Sequence, residues 1–105
     1  MRNADLIATM TARIVRDFDP LRVILFGSHA RGDAGAQSDL DLLVVLPDPA
    51  DRRAAAVAIR VALADLPVYK DIVVTTPDEI ARRGDLVGSV LRPALREGRV
   101  LYERS

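Results

Sequence analysis

LFGSHARGDAGAQSDLDLLVVL, residues 25–46, holds the end of one strand, a turn-rich interval and the start of another. The run RVILF, residues 22–26, is made of β-formers and stops at Gly27, the pattern of a short buried strand. Residues 28–38 carry Gly32 and Gly35 and read as a turn with a short helical stretch. DLDLLVVL, residues 39–46, is a second strand.

On either side of this segment, helices and strands take turns. Leu6, Ile7, Met10, Ile14 and Phe18 recur at helical spacing over residues 4–17, and Asp19-Pro20 stops that helix, because proline disfavours a helical residue before it. Beyond the second strand, Asp48-Pro49 reads as an N-cap followed by proline at the first helical position. The Ala-rich helix it opens runs to about Asp65, with Val57, Val61 and Leu63 among its apolar residues, and Pro67 ends the region. DIVVT, residues 71–75, is a third strand, and Thr76-Pro77-Asp78-Glu79 is a capping box that starts a short helix ending near Gly84. A further helix is expected over residues 86–97 with Gly98 as its C-cap, although Pro93 inside it implies a kink or a shorter helix. Residues 100–102 close the chain as a strand. The alternation predicts a small α+β (α/β-like) layer fold with a mixed sheet, and 105 residues make a single domain spanning 1–105.

Composition narrows the chemistry. Half the residues are hydrophobic and 29% charged, which is a globular composition. Fifteen basic residues balance fifteen acidic ones, so the chain has no excess positive charge to grip nucleic acid or an anionic membrane. The absence of cysteine removes disulfides, thiolate nucleophiles and Cys-based zinc sites, and a single histidine, His29, removes any multi-His metal centre. No apolar run approaches the ~18–20 residues of a membrane span, and Arg2 and Asp5 interrupt the place of a signal sequence. A soluble, cytoplasmic protein is the expectation.

Two features carry reactive chemistry. Asp39 and Asp41 alternate with Leu40, so in a strand both point the same way with Cα atoms roughly 6.5 Å apart. Two like charges ~5 Å apart repel by about 3 kcal/mol at an effective dielectric of ~20, and keeping both ionised calls for a cation. Hard carboxylate oxygens, with neither His nor Cys beside them, select Mg²⁺ or Mn²⁺ over zinc. Taken alone, the pair reads more readily as two solvated acids where a strand begins. Gly27-Ser28, where the first strand enters a turn, offers backbone N–H groups and a hydroxyl to phosphate oxygens, and Gly lets the backbone approach closely; taken alone, it is an ordinary turn. The P-loop signature is absent.

Together, Gly-Ser, a ten-residue gap and Asp-x-Asp among apolar residues resemble the hallmark of the minimal nucleotidyltransferases of the DNA polymerase β superfamily. The resemblance extends over nearly the whole chain, through the leading helix, the Ala-rich helix, the third strand and the tail EGRVLYE. It implies a palm-like nucleotidyltransferase fold. It also implies a third carboxylate on the strand after the long helix, a place filled by Asp71 in YKDIVVTT, whose plain alternative is a solvated acid beside Lys70. On this resemblance Asp39, Asp41 and Asp71 are the catalytic, metal-holding acids, binding two Mg²⁺ ions, while Gly27 and Ser28 hold the phosphates of ATP. Arg31 lies three residues past Ser28 and reaches either a phosphate or a neighbouring acid such as Asp33. His29 reads as a surface residue and Ser38 as a structural hydroxyl; Arg52-Arg53 and Arg82-Arg83 read as solvated helix faces.

Small members of this superfamily resemble the antitoxin half of toxin–antitoxin pairs. The resemblance therefore implies transfer of AMP to a protein hydroxyl, a tyrosine of a HEPN-domain toxin partner. The alternatives are a non-catalytic antitoxin that acts by binding, and a nucleotidyltransferase for small molecules.

Overall fold

The computed structural model describes residues 2–32, 39–48 and 51–104. Its elements follow the chain as α1 (Asn3–Phe18), β1 (Arg22–Phe26), α2 (Ser28–Arg31), β2 (Leu40–Val45), α3 (Arg52–Ala62), β3 (Lys70–Thr75), α4 (Pro77–Arg83), α5 (Leu91–Glu97) and β4 (Arg99–Glu103). The four strands form one mixed sheet in the order β3-β2-β1-β4. β1 is antiparallel to both β2 and β4, and β2 is parallel to β3. This is the α+β architecture expected from the alternation of elements.

Two apolar layers hold the sheet. Leu6, Met10 and Ile14 of α1 and Ile59 of α3 cover one face, meeting Val23, Leu25, Leu42, Val44, Ile72 and Val74. Leu91 and Ala94 of α5 cover the other, meeting Ile24, Phe26 and Leu43. β2 is interior to the sheet and sandwiched between layers, which is why its apolar residues run on without alternation. Leu40, Leu42, Leu43, Val44 and Val45 are all 0–1% exposed, and Asp41 is the one polar residue among them.

Several local expectations change. The α3 N-cap is Asp51 rather than Asp48: its Oδ1 accepts from the N–H of Arg53 at 2.9 Å and of Ala54 at 3.2 Å. Pro49, the expected first helical residue, lies outside the described residues. Val57 and Val61 are 57% and 70% exposed, because α3 turns Ala55, Ala56, Ile59 and the following Leu63 toward the sheet instead. The helix expected over residues 86–97 shortens to Leu91–Glu97, preceded by turns and by Ser89, whose Oγ accepts from the N–H of Leu91 at 3.1 Å. Pro93 then falls in the first turn, where a helix has no acceptor for the N–H that proline lacks. Gly98 does take the C-cap position, donating to the Ala94 carbonyl at 3.0 Å, but with extended backbone. Space demands glycine there: a Cβ would strike the Ala94 carbonyl and the Ile24 side chain.

At α4 the expected cap forms, with Thr76 Oγ1 accepting from the N–H of Glu79 at 3.1 Å. Glu79 does not complete the box by reaching back to Thr76; it accepts from Thr75 Oγ1 at 2.6 Å and pairs with Arg52. Arg52 is therefore an anchoring residue and not the solvated arginine expected. Among the described residues no helix is long and apolar enough to cross a membrane.

Candidate functional site

The strand directions gather the site. Because β1 and β2 are antiparallel, the last residue of β1, Phe26, stands opposite Asp41 near the start of β2. Because β2 and β3 are parallel, Asp41 also stands beside Asp71. Adjacent strands lie ~4.8 Å apart, so the two carboxylates are neighbours on the face that carries Leu43 and Val73. Asp39 sits exposed just ahead of β2, and its negative charge is felt at Asp41.

Gly27 closes the site from the β1 side. Its backbone, at φ 77 and ψ −156, lies in a region open essentially to glycine alone. A Cβ there would also collide with Asp41 Oδ2, so the main chain lies directly against that carboxylate. The chain then enters the single turn of α2, in which the N–H groups of Ala30 and Arg31 both bond the Gly27 carbonyl at 3.1 Å. Ser28, the first residue of this turn, has no acceptor within it for its own N–H.

Electrostatics set Asp41 apart. Burial, and then the like charges of Asp71 and Asp39, hold its carboxyl above the ordinary 3.8; His29 and Arg31 pull it the other way. His29 is half-buried and faces this cluster electrostatically, a correction to its reading as a surface residue. Arg31 is exposed, with its charge directed at the same carboxylate. Asp33 and Ser38 lie outside the described residues.

Asp71 is not merely solvated. Arg60, in the last turn of α3, donates from Nη2 to Asp71 Oδ1 at 2.9 Å, with both side chains about half exposed. β3 is an edge strand, which lets an arginine of the α3 layer reach around the sheet to it. Among the described residues no group of three His, Cys, Asp or Glu side chains is gathered closely enough to hold a metal ion. Asp41 and Asp71, aligned across the register, nevertheless offer hard carboxylate oxygens of the kind suited to Mg²⁺ or Mn²⁺, with the charge of Asp39 near enough to be felt.

Ala64, Leu66, Pro67, Val68, Tyr69 and Lys70 line a cavity of about 390 Å³ immediately before Asp71. Lys70 does not enter the cluster, since its Nζ donates to the carbonyls of Leu66 at 3.3 Å and Val68 at 3.0 Å. A larger groove of about 650 Å³, lined by α1 together with Leu101 and Tyr102, is apolar and contains none of the site's acids.

Of the six expected site residues, Asp41, Asp71 and Gly27 are brought together, with Ser28, Arg31 and Asp39 bordering them. Arg60 went unread. The sequence signal for it is slight: a basic residue near the end of a helix that returns the chain to the start of a parallel neighbour strand, eleven residues before the acid it meets.

A family model described as "Nucleotidyltransferase domain" matches residues 9–100. No curated protein matches the sequence. Among solved structures, a putative nucleotidyltransferase from Sulfolobus solfataricus superposes with a TM-score of 0.65 at 20% identity, covering 95% of this chain and 79% of that one. A toxin–antitoxin with AMP-PNP superposes at 0.59 with 23% identity, covering 99% and 76%. A mutant of the toxin–antitoxin MntA-HpeT superposes at 0.58 with 20% identity, also covering 99% and 76%.

Proposed function

The chain belongs to the nucleotidyltransferase domain family, and on that premise we propose that it transfers AMP from ATP to a hydroxyl of a partner protein, as the antitoxin of a toxin–antitoxin pair. The observation that carries the reading is the alignment of Asp41 with Asp71 on adjacent strands, with Asp41 lying directly against the backbone of Gly27. The toxin–antitoxin with AMP-PNP supports the choice of nucleotide and of partner class.

In this reading Gly27 and Ser28 receive the phosphates, the glycine permitting close approach and the serine offering its N–H and hydroxyl. Asp39, Asp41 and Asp71 are the residues that hold Mg²⁺. When bound, the metal neutralises phosphate charge and steadies the attacking and leaving oxygens of an in-line displacement. Asp71 borders the acceptor side, where its carboxylate orients the attacking hydroxyl and accepts its proton. The acceptor oxygen bonds to the α-phosphorus, the bond from that phosphorus to the β-phosphate's bridging oxygen breaks, and pyrophosphate leaves. Arg31 adds positive charge beside the triphosphate, where charge neutralisation carries much of such a transfer. A tyrosine of a HEPN-type toxin is the acceptor that the family resemblance favours, and the chain works as one domain in the cytoplasm.

Incubating the protein with ATP, Mg²⁺ and the product of the adjacent gene tests this. Intact mass spectrometry is expected to show one added AMP on that product; an unmodified product that is still neutralised would overturn the transferase. The absence of a three-acid cluster among the described residues favours a second reading, an antitoxin that neutralises by occlusion. Replacing Asp39 and Asp41 together by alanine separates the two, because an occluding protein keeps its neutralising effect and a transferase loses it.

A further inference from the structure

We propose that Arg60 is a built-in counter-cation for the site, holding Asp71 while metal is absent and competing with the metal that binds there. The proposal rests on the reading of Asp41 and Asp71 as metal-holding acids. It goes beyond that reading by giving a role to a residue on a different element.

The argument begins with charge. Asp41 and Asp71 face each other across the β2–β3 register, with Asp39 adding a third negative charge nearby. Such a group draws in whichever cation can reach it. α3 supplies one: it runs back along the sheet from Asp51, beyond the C-terminal ends of β2 and β3, toward the ends where Asp41 and Asp71 stand. Arg52, in its first turn, pairs with Glu79; Arg60, eight residues and about 12 Å further along the helix, pairs with Asp71 Oδ1 at 2.9 Å. The two arginines differ in how firmly they are held. Glu79 is only 13% exposed and bonded also to Thr75, whereas the Arg60 and Asp71 side chains are 52% and 53% exposed. An ion pair this open is weak and exchangeable, so a divalent ion with stronger attraction for the carboxylates can displace it.

Displacement has two consequences. The metal site that uses Asp71 is weaker than it would be without Arg60. Once released, the arginine stands at the acceptor side of the site with its charge uncommitted, available to an incoming anionic group.

Mn²⁺ titration with a non-hydrolysable ATP analogue present, followed by the loss of the free-ion paramagnetic resonance signal, measures this on the whole chain. Arg60→Gln is expected to tighten the weaker Mn²⁺ site by roughly three- to tenfold and leave the tighter one unchanged. Arg60→Lys, which keeps the charge, is expected to stay within about twofold of wild type. In the Asp71→Asn background the Arg60→Gln change is expected to have no effect. Thermal melting of each variant without metal reports its folding separately. Equal or weaker Mn²⁺ binding by folded Arg60→Gln would overturn the counter-cation role while leaving the site reading in place. Absence of Mn²⁺ binding by both wild type and variant would overturn the site reading, and this proposal with it.

Discussion

The third strand carries Asp71 next to its first residue and closes on Thr75, and the two ends are built on opposite principles. At Thr75 every partner is supplied: the residue is fully buried, its hydroxyl donates to Glu79, and Glu79 is paired with Arg52 and capped onto Thr76. At Asp71 the neighbour across the register is another aspartate, with a third close by, and the ion pair with Arg60 is half exposed to water. The same contrast runs along β2, from Asp41, whose carboxyl is destabilised by its surroundings, to Val45, which is buried beside Thr75. One end of the sheet is stabilised by mutual satisfaction. The other stores like-charge repulsion, which a bound cation relieves. Such a division is expected where a fold supplies rigidity and a site requires charge.

Substitutions at the two ends should therefore separate activity from stability. Asp41→Asn is expected to lower AMP transfer by about 10²-fold or more, yet to leave the urea midpoint unchanged or raised, because it removes a partly buried charge from among like charges. A clear loss of stability in this variant would show that the carboxylate is satisfied in a way the contrast denies. Gly27→Ala is expected to fail on both counts. It loses transfer activity and about 3 kcal/mol of stability, since the backbone conformation admits little but glycine and the new methyl group collides with Asp41. Thermal melting and the transfer assay together check it.

At the satisfied end, Glu79→Ala leaves the Thr75 hydroxyl and Arg52 without their shared partner. It is expected to cost about 2 kcal/mol in denaturant unfolding while Mn²⁺ affinity stays the same. Altered metal binding would mean that the two ends are coupled through α3.

Asp41 also predicts a pH signature. Its carboxyl is held above the unfolded value of 3.8, so folding favours the protonated form. Its contribution is fully present below pH 3.8 and lost as pH rises through the higher folded value. The stability difference between Asp41→Asn and wild type should accordingly widen as pH rises from 3.8 through that value and then level off. A difference independent of pH would remove the claim that burial and neighbouring like charges disfavour the Asp41 carboxylate.

The smallest effect belongs to Arg13, whose two-pronged pair with Asp65 at 2.5 and 3.0 Å ties α1 to the chain beyond α3. Arg13 holds the Asp65 carboxyl below 3.8, so this contribution is present above pH 3.8 and fades as pH falls through the lowered value. Arg13→Gln should give a slight fall in Tm that added salt erases.

Much of the molecule was legible along the chain. Strand Arg22–Phe26 is found as read, because a run rich in β-formers (Val23, Ile24, Phe26) is bounded by Pro20 and Gly27. The Thr76 cap is likewise local, needing only a hydroxyl three residues before an available N–H. α3 was misjudged at its start, and its inward face could not be read from the sequence. Two aspartates compete there as caps, and a helix rich in alanine and valine has no single apolar stripe until the sheet selects one. Arg60 and Arg52 were missed for a related reason: a helix can place its arginines against acids eleven or twenty-seven residues away, but which acids they meet depends on where the helix lands.

Local spacing alone was enough to establish the order of elements, a Gly-Ser turn at the end of one strand and an Asp-x-Asp pair at the start of the next, since each depends on residues that stay neighbours in any conformation. Folding in three dimensions settled the rest. Antiparallel β1–β2 pairing brings Gly27 against Asp41, parallel β2–β3 pairing brings Asp71 beside it, and the packing of α3 delivers Arg60 to that acid. Contacts between residues far apart in the chain exist only once register and packing are chosen. That choice minimises the exposed apolar surface of the whole sheet rather than the energy of any one segment.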